Sequence, residues 1–424
     1  MNSFPLTNPV NLALIVSLLS WSTGNAQSPT KTAIDSAASS AAVDALSKHL
    51  AEPAAKRAAL AGQSFVKVAL TKADALQAKD LLWQDRLVQL REERAAEMKA
   101  RELTMDKLKM PFTYQTFGEK PATGRSMYIS MHGGGGAPKA VNDSQWENQK
   151  RLYRLDEGVY VVPRAPTDTW DLWHQSHIDS LFARLIENFV ALEDVDPNRV
   201  YLMGYSAGGD GVYQIAPRMA DQFAAAAMMA GHPNETSPLG LRNLPFAIHV
   251  GELDGGYNRN KVAREWETKL AELRKSDADG YDHKVVLEAG KGHWMDRKDA
   301  VAIPWMAKHR RNALPNRIVW KQDDVLHHRF YWLAVDPKDV KDRPEVTARR
   351  DGQQIDVTSK DLRRVTVRLN DDLLNLDQEI KLTSGDKVLF SGFVPRTIAT
   401  LHKTLAERAD PQGIFSAEIA INLP

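Results

Sequence analysis

The rhythm of apolar and polar positions changes along the chain. Between Lys31 and about Met110, Leu76, Trp83, Leu87 and Leu90 recur at helical spacing behind a capping box at Thr71 and Asp74. Ala, Lys, Glu and Leu dominate this stretch, with one proline, Pro53, and one glycine, Gly62. The pattern predicts a helical N-terminal extension over residues 27–110. Its charged run "REERAAEMKARE" reads as a solvated face packed beside the main domain. A lipid-surface helix is the weaker alternative, because acids match bases there.

From 111 to 312 the rhythm becomes strand and helix in alternation. "RSMYISMHG", "GVYVVPRAP", "RVYLMGYS", "FAAAAMMAGH", "LPFAIHVGELD" and "HKVVLEAGKGH" are short apolar runs ending in turn residues. Amphipathic stretches such as "DSLFARLIENFVALE" lie between some of them. Near-continuous apolar strands with helical crossovers predict an α/β fold, a doubly wound and mostly parallel sheet covered on both faces. Their polar ends fall on the C-terminal side, where open α/β sheets bind ligands. Over 313–424, runs such as "RIVWKQDD", "RFYWLAV", "RRVTVRLN" and "FSAEIAINL" and the turn Asp351-Gly352 predict a small β-sandwich-like domain. "TIATLHKTLAERAD" is its helical stretch.

The front of the chain is different again. The first 30 residues carry no Lys, Arg, Asp or Glu, and an apolar run from Leu12 to Leu19 precedes Gly24 and Ala26, small residues before a cut at Gln27. The run is too short to span a bilayer, so residues 1–26 read as an export signal that leaves no transmembrane anchor once removed. The expected location is then periplasmic or secreted; with the signal uncleaved it is cytoplasmic. The missing basic n-region is the feature that does not fit.

Charge narrows the partners. With 55 basic and 54 acidic side chains the formal net charge is +1, which gives no global attraction to nucleic acid. There is no cysteine. A thiol nucleophile, a thiolate metal site and a disulfide framework are therefore excluded.

The chemistry concentrates at strand ends. Gly204-Tyr205-Ser206-Ala207-Gly208 follows "RVYLM" and precedes a helical stretch, the context of a G-x-S-x-G nucleophile elbow. Small neighbours permit a strained corner that exposes the Ser206 hydroxyl at a helix N-terminus. His132-Gly133-Gly134-Gly135-Gly136 ends an earlier strand and matches an oxyanion loop. Its donors are expected at Gly133 and Gly134, with the Ala207 N–H completing the hole. His132 reads as a residue that positions this loop.

A serine needs a base, and the base an anion, in the chain order Ser, acid, His. Asp254, in the loop after "FAIHVGEL", and His293, between Gly292 and Trp294, fit that order. Glu252 is the rival acid; His232, His249 and His283 are the rival histidines. Trp170, Trp173 and His174 either line a substrate pocket or seal their loop against the next helix, and Tyr205 shapes the pocket beside the nucleophile. His327 and His328 form a metal-like pair, but neighbours on a strand face opposite ways. No metal or organic cofactor is expected.

"HGGGG", "GYSAGG", "GELD" and "GKGHW" in this order resemble the α/β-hydrolase superfamily. The similarity is to the esterase branch that includes poly(3-hydroxybutyrate) depolymerases, feruloyl esterases and carboxylesterases. It covers about 111–312. It implies a Ser206–Asp254–His293 triad, cleavage of carboxylic esters through an acyl-enzyme, and a small-molecule or polymeric ester as substrate. The alternatives are a serine peptidase of the prolyl-oligopeptidase type and a non-catalytic binding protein on a hydrolase fold. No propeller-like repeat precedes residue 111, which counts against the peptidase.

Overall fold

The computed structural model describes residues 34–341 and 343–424. The apolar run Leu12–Leu19 and the expected cut before Gln27 lie outside the described residues. Among those described, no helix is long and apolar enough to cross a membrane.

Helix α1 (Ser36–Ala51) begins where the Asp35 carboxylate accepts from the Ala37 and Ala38 N–H groups. Helix α2 (Lys72–Ala100) begins at Thr71, whose hydroxyl accepts from Asp74 N and donates to the Asp74 carboxylate. Half of the capping box read from the sequence is formed; the Thr71 N–H donates to Ser39 Oγ at 2.9 Å rather than to Asp74. The helical run, expected to reach Met110, stops at Ala100 because Arg101 turns left-handed at φ 54°. Strand β1 (Glu102–Met105) and strand β2 (Leu108–Phe117) follow at once as an antiparallel pair. The boundary expected at 110/111 therefore falls inside a strand.

The chain continues through β3 (Arg125–Met131), α3 (Lys139–Gln149), β4 (Gly158–Pro163), α4 (Ser176–Leu192), β5 (Val195–Tyr205) and α5 (Ala207–Arg218). Then come β6 (Ala225–Met229), β7 (Phe246–Gly251), α6 (Arg259–Ser276), β8 (His283–Glu288) and the short α7 (Ala302–Met306). The sheet is 8-stranded, in the order β1-β2-β4-β3-β5-β6-β7-β8. Strands β1 and β2 run antiparallel to their neighbours and β3 to β8 are parallel. Every residue of β4, β6 and β7 is buried, as expected for strands covered by helices on both faces.

Beyond it lie β9 (Arg317–Lys321), β10 (Arg329–Phe330), β11 (Leu333–Ala334), β12 (Glu345–Asp351), β13 (Gln354–Lys360) and β14 (Arg364–Leu369). They are followed by β15 (Ile380–Ser384), β16 (Lys387–Gly392), α8 (Ile398–Glu407) and β17 (Ala417–Asn422). These strands form a 4-stranded sheet, β10-β11-β14-β17, and a 5-stranded sheet, β16-β15-β13-β12-β9. Val346, Ala348, Ile355 and Val357 of one share a core with Val365, Val367, Ile419 and Ile421 of the other. "RFYWLAV" is not one strand but a tight hairpin, broken where Tyr331 takes φ 53°. α8 packs against the N-terminal helices: Ile398, Leu401 and Leu405 bury with Val43, Leu46 and Leu82.

Candidate active site

Strand β5 hands over to α5 at a single residue. Ser206 has φ 58° and ψ −121°, a costly conformation for a residue with a Cβ, held by Ser206 N–H donating to Met229 O at 2.9 Å. The residues two positions to either side are glycines because the backbones touch. A Cβ on Gly204 would lie 2.2 Å from Gly208 O, and one on Gly208 2.2 Å from Met131 O. The close approach of the backbones at Gly204 and Gly208 leaves the Ser206 hydroxyl standing at the corner.

Ser206 Oγ lies 3.0 Å from His293 Nε2, and His293 Nδ1 lies 2.8 Å from Asp254 Oδ2. The structure brings these residues, which are 87 and 39 positions apart, within hydrogen-bonding distance of one another. The Asp254 side chain is 3% exposed and the His293 side chain 44%, so a buried anion backs an accessible imidazole. The rivals are occupied elsewhere. Glu252 Oε2 accepts from Gly290 N at 2.9 Å, tying the two loops together. His249 is wholly buried, His283 Nδ1 sits 2.8 Å from Tyr281 O, and His232 contacts Asn234.

His132 lies beneath the glycine loop. Its Nε2 accepts from Ala165 N at 3.1 Å, so the opposite nitrogen carries the proton and donates to Gly133 O at 2.6 Å. Burial pulls its pKa down to about 4, which keeps the ring neutral as both bonds require. The Gly133 carbonyl is thereby drawn toward His132, and in a trans peptide the Gly134 N–H points the opposite way. Gly134 takes φ +109°, and a Cβ there would meet Asn142 Oδ1 at 2.1 Å. That same Oδ1 accepts from Gly135 N at 2.8 Å. Asn142 went unread in the sequence; its spacing from the glycines carries no motif.

The aromatic candidates separate. Tyr205 lines the cleft that holds Ser206, and its hydroxyl donates to His293 O at 2.6 Å while accepting from Met295 N at 3.1 Å. It clamps the turn that carries the histidine. Trp173 is fully buried, with Nε1 donating to His132 O at 2.9 Å, and is not among the cleft-lining residues. Trp170 is exposed and stacks edge-on against His174, again away from the cleft lining. Trp173 is packed as the sealing reading expects, whereas exposed Trp170 neither seals the loop nor borders the cleft. Asp210, in the first turn of α5, accepts from His232 N at 2.6 Å, and burial pushes its carboxyl up to about 6.

Among the described residues, Glu235, Asp323 and Asp324 come close enough together to hold a cation, but none lines this cleft. His327 Nε2 lies 2.7 Å from Asp179, whereas His328 borders a different cavity, so the adjacent pair does diverge.

The strand order, the parallel core with its antiparallel β2, and the serine corner between β5 and α5 settle the architecture. This is the α/β-hydrolase fold. No protein-family model matches the chain. A curated protein named "Putative esterase NocK", from Nocardia uniformis subsp. tsuyamanensis, is 28% identical over 141 residues, which are 31% of this chain and 40% of that protein. The match therefore spans well under half of that relative's length.

Similar solved structures include esterases. A thermostable esterase is 16% identical, covering 50% of this chain and 62% of its own, with a TM-score of 0.39. LpqC, a poly(3-hydroxybutyrate) depolymerase from Bordetella parapertussis, is 15% identical, covering 53% of this chain and 96% of its own, with a TM-score of 0.38. The feruloyl esterase module from Clostridium thermocellum is 14% identical, covering 48% of this chain and 85% of its own, with a TM-score of 0.35.

Proposed function

We propose that the protein is a serine hydrolase that cleaves carboxylic esters through an acyl-enzyme. Ser206 Oγ attacks the ester carbonyl while His293 Nε2 takes its proton. The buried Asp254 carboxylate holds the imidazole in the Nδ1–H tautomer and stabilises the imidazolium that forms. The tetrahedral oxyanion is received by the N–H groups of Ala207 and the Gly133–Gly134 segment. His293 then protonates the departing alcohol. Water, deprotonated by the same nitrogen, attacks the acyl carbonyl and returns Ser206 to its free form.

The observation that carries this reading is the 3.0 Å contact between Ser206 Oγ and His293 Nε2, at the one strained residue of the elbow. Hydrolysis of 4-nitrophenyl butyrate by the purified protein tests it, with Ser206→Ala alongside and a peptide anilide as competing substrate. Ester turnover that disappears in Ser206→Ala is expected. Turnover unaffected by the substitution, or preference for the anilide, contradicts it.

A further inference from the structure

We propose that the esters processed at Ser206 carry a carboxylate, and that Arg151 and Arg297 receive it. This deepens the proposed reaction and rests on it. The cleft that contains Ser206 and His293 has a volume of about 660 Å³, room for a substrate well beyond a short acyl ester. Its lining includes Arg151 and Arg297, the carboxamides of Gln145 and Asn148, and Trp294, but no Asp or Glu.

The acids on the bordering segments are already matched to other cations. Asp143 pairs with Lys139 and Arg164, Glu147 with Lys150, Asp296 with Lys291, and Asp254 with Arg259. Among the described residues, neither Arg151 nor Arg297 has an acidic partner, so the cleft presents uncompensated positive charge beside the nucleophile. Guanidinium forks suit a carboxylate geometrically, through paired N–H donors.

The backbone that carries each arginine is fixed by local bonds. Asp296 and Arg297 take φ 54° and 61°, consecutive left-handed positions without glycine. The turn is anchored at Met295, whose N–H donates to Tyr205 Oη at 3.1 Å and whose carbonyl accepts from Lys298 N at 3.0 Å. Tyr205 is the residue that also holds the His293 carbonyl, so Arg297 and the imidazole are referenced to one hydroxyl. Arg151 stands just past the end of α3, with its N–H donating to Asn148 O at 3.1 Å.

The test compares kcat/KM for mono-4-nitrophenyl adipate with that for neutral 4-nitrophenyl hexanoate. A second pair, 4-acetoxybenzoate and phenyl acetate, places the charge on the alcohol side instead. In one of the pairs the anionic ester should be preferred, and the anionic-to-neutral ratio should fall about tenfold in R151Q/R297Q. High salt should reduce the same ratio in the unsubstituted protein, since exposed charges are screened. Ratios that stay within twofold in both pairs on removing the arginines overturn the proposal. Turnover of these esters that survives Ser206→Ala overturns the serine reading instead, which keeps the two failures distinct.

Discussion

The molecule contains two histidine–aspartate pairs of nearly the same geometry. His293 Nδ1 lies 2.8 Å from Asp254, and His327 Nε2 lies 2.7 Å from Asp179. Both carboxylates are buried. What differs is the far side of each. His293 turns its other nitrogen to a hydroxyl in an open cleft, whereas Asp179 also takes a bond from Arg218 at 2.6 Å. Burial alone would raise the Asp179 pKa, yet Arg218 and His327 together hold it below the ordinary carboxylate value. That carboxylate accepts from two side chains and joins α4 and α5 to the segment before β10. A histidine on an aspartate is thus a bond in one place and a candidate machine in the other, and the nucleophile and cleft make the distinction.

The sharpest way to break the comparison is Asp254→Asn, which leaves the shape and reverses the tautomer; kcat for a 4-nitrophenyl ester should fall about 10⁴-fold. His327→Ala should instead cost about 2 kcal/mol in denaturant unfolding while leaving ester turnover unchanged, because a buried carboxylate loses one of its partners. A loss of activity there would merge the two pairs into one system.

Asp210 supplies a further, half-buried carboxyl near the site. Its folded pKa is raised to about 6 from an ordinary 3.8, so the stability it contributes is complete below about pH 4 and is lost as pH rises through 6. Asp210→Asn, which keeps an acceptor for His232 N, should flatten the stability profile between pH 4 and 8 by about 3 kcal/mol. Tyr205→Phe releases the turn around His293 and should lower kcat about tenfold with little change in KM, a smaller effect because Asp254 still orients the ring.

Much of the architecture was legible because its punctuation is forced. Gly204 and Gly208 stand where backbones meet, and Gly134 where a positive φ and the Asn142 side chain exclude a Cβ, so local sequence marks the corner and the loop. The apolar runs of β4, β6 and β7 declare a sheet covered on both faces. The hidden parts depend on tertiary context. β1 starts within helical composition, after a left-handed Arg101 that carries no glycine signal. β15 is the short run "IKLTS", which pairs locally with β16 in a hairpin but joins the sheet through a parallel pairing with β13, a partner more than twenty residues away. The clamp by Tyr205 and the placement of Arg151 and Arg297 are equally non-local, since each depends on a turn closing over a distant strand.

The central claim is that the Ser206 hydroxyl is activated by His293. Incubation with an alkyl fluorophosphonate, followed by intact-mass and peptide analysis, tests it most directly. One adduct per chain on Ser206 in the unsubstituted protein, and its loss in His293→Ala, is the predicted result. Modification at another residue, or labelling of Ser206 at an undiminished rate without the imidazole, would contradict it.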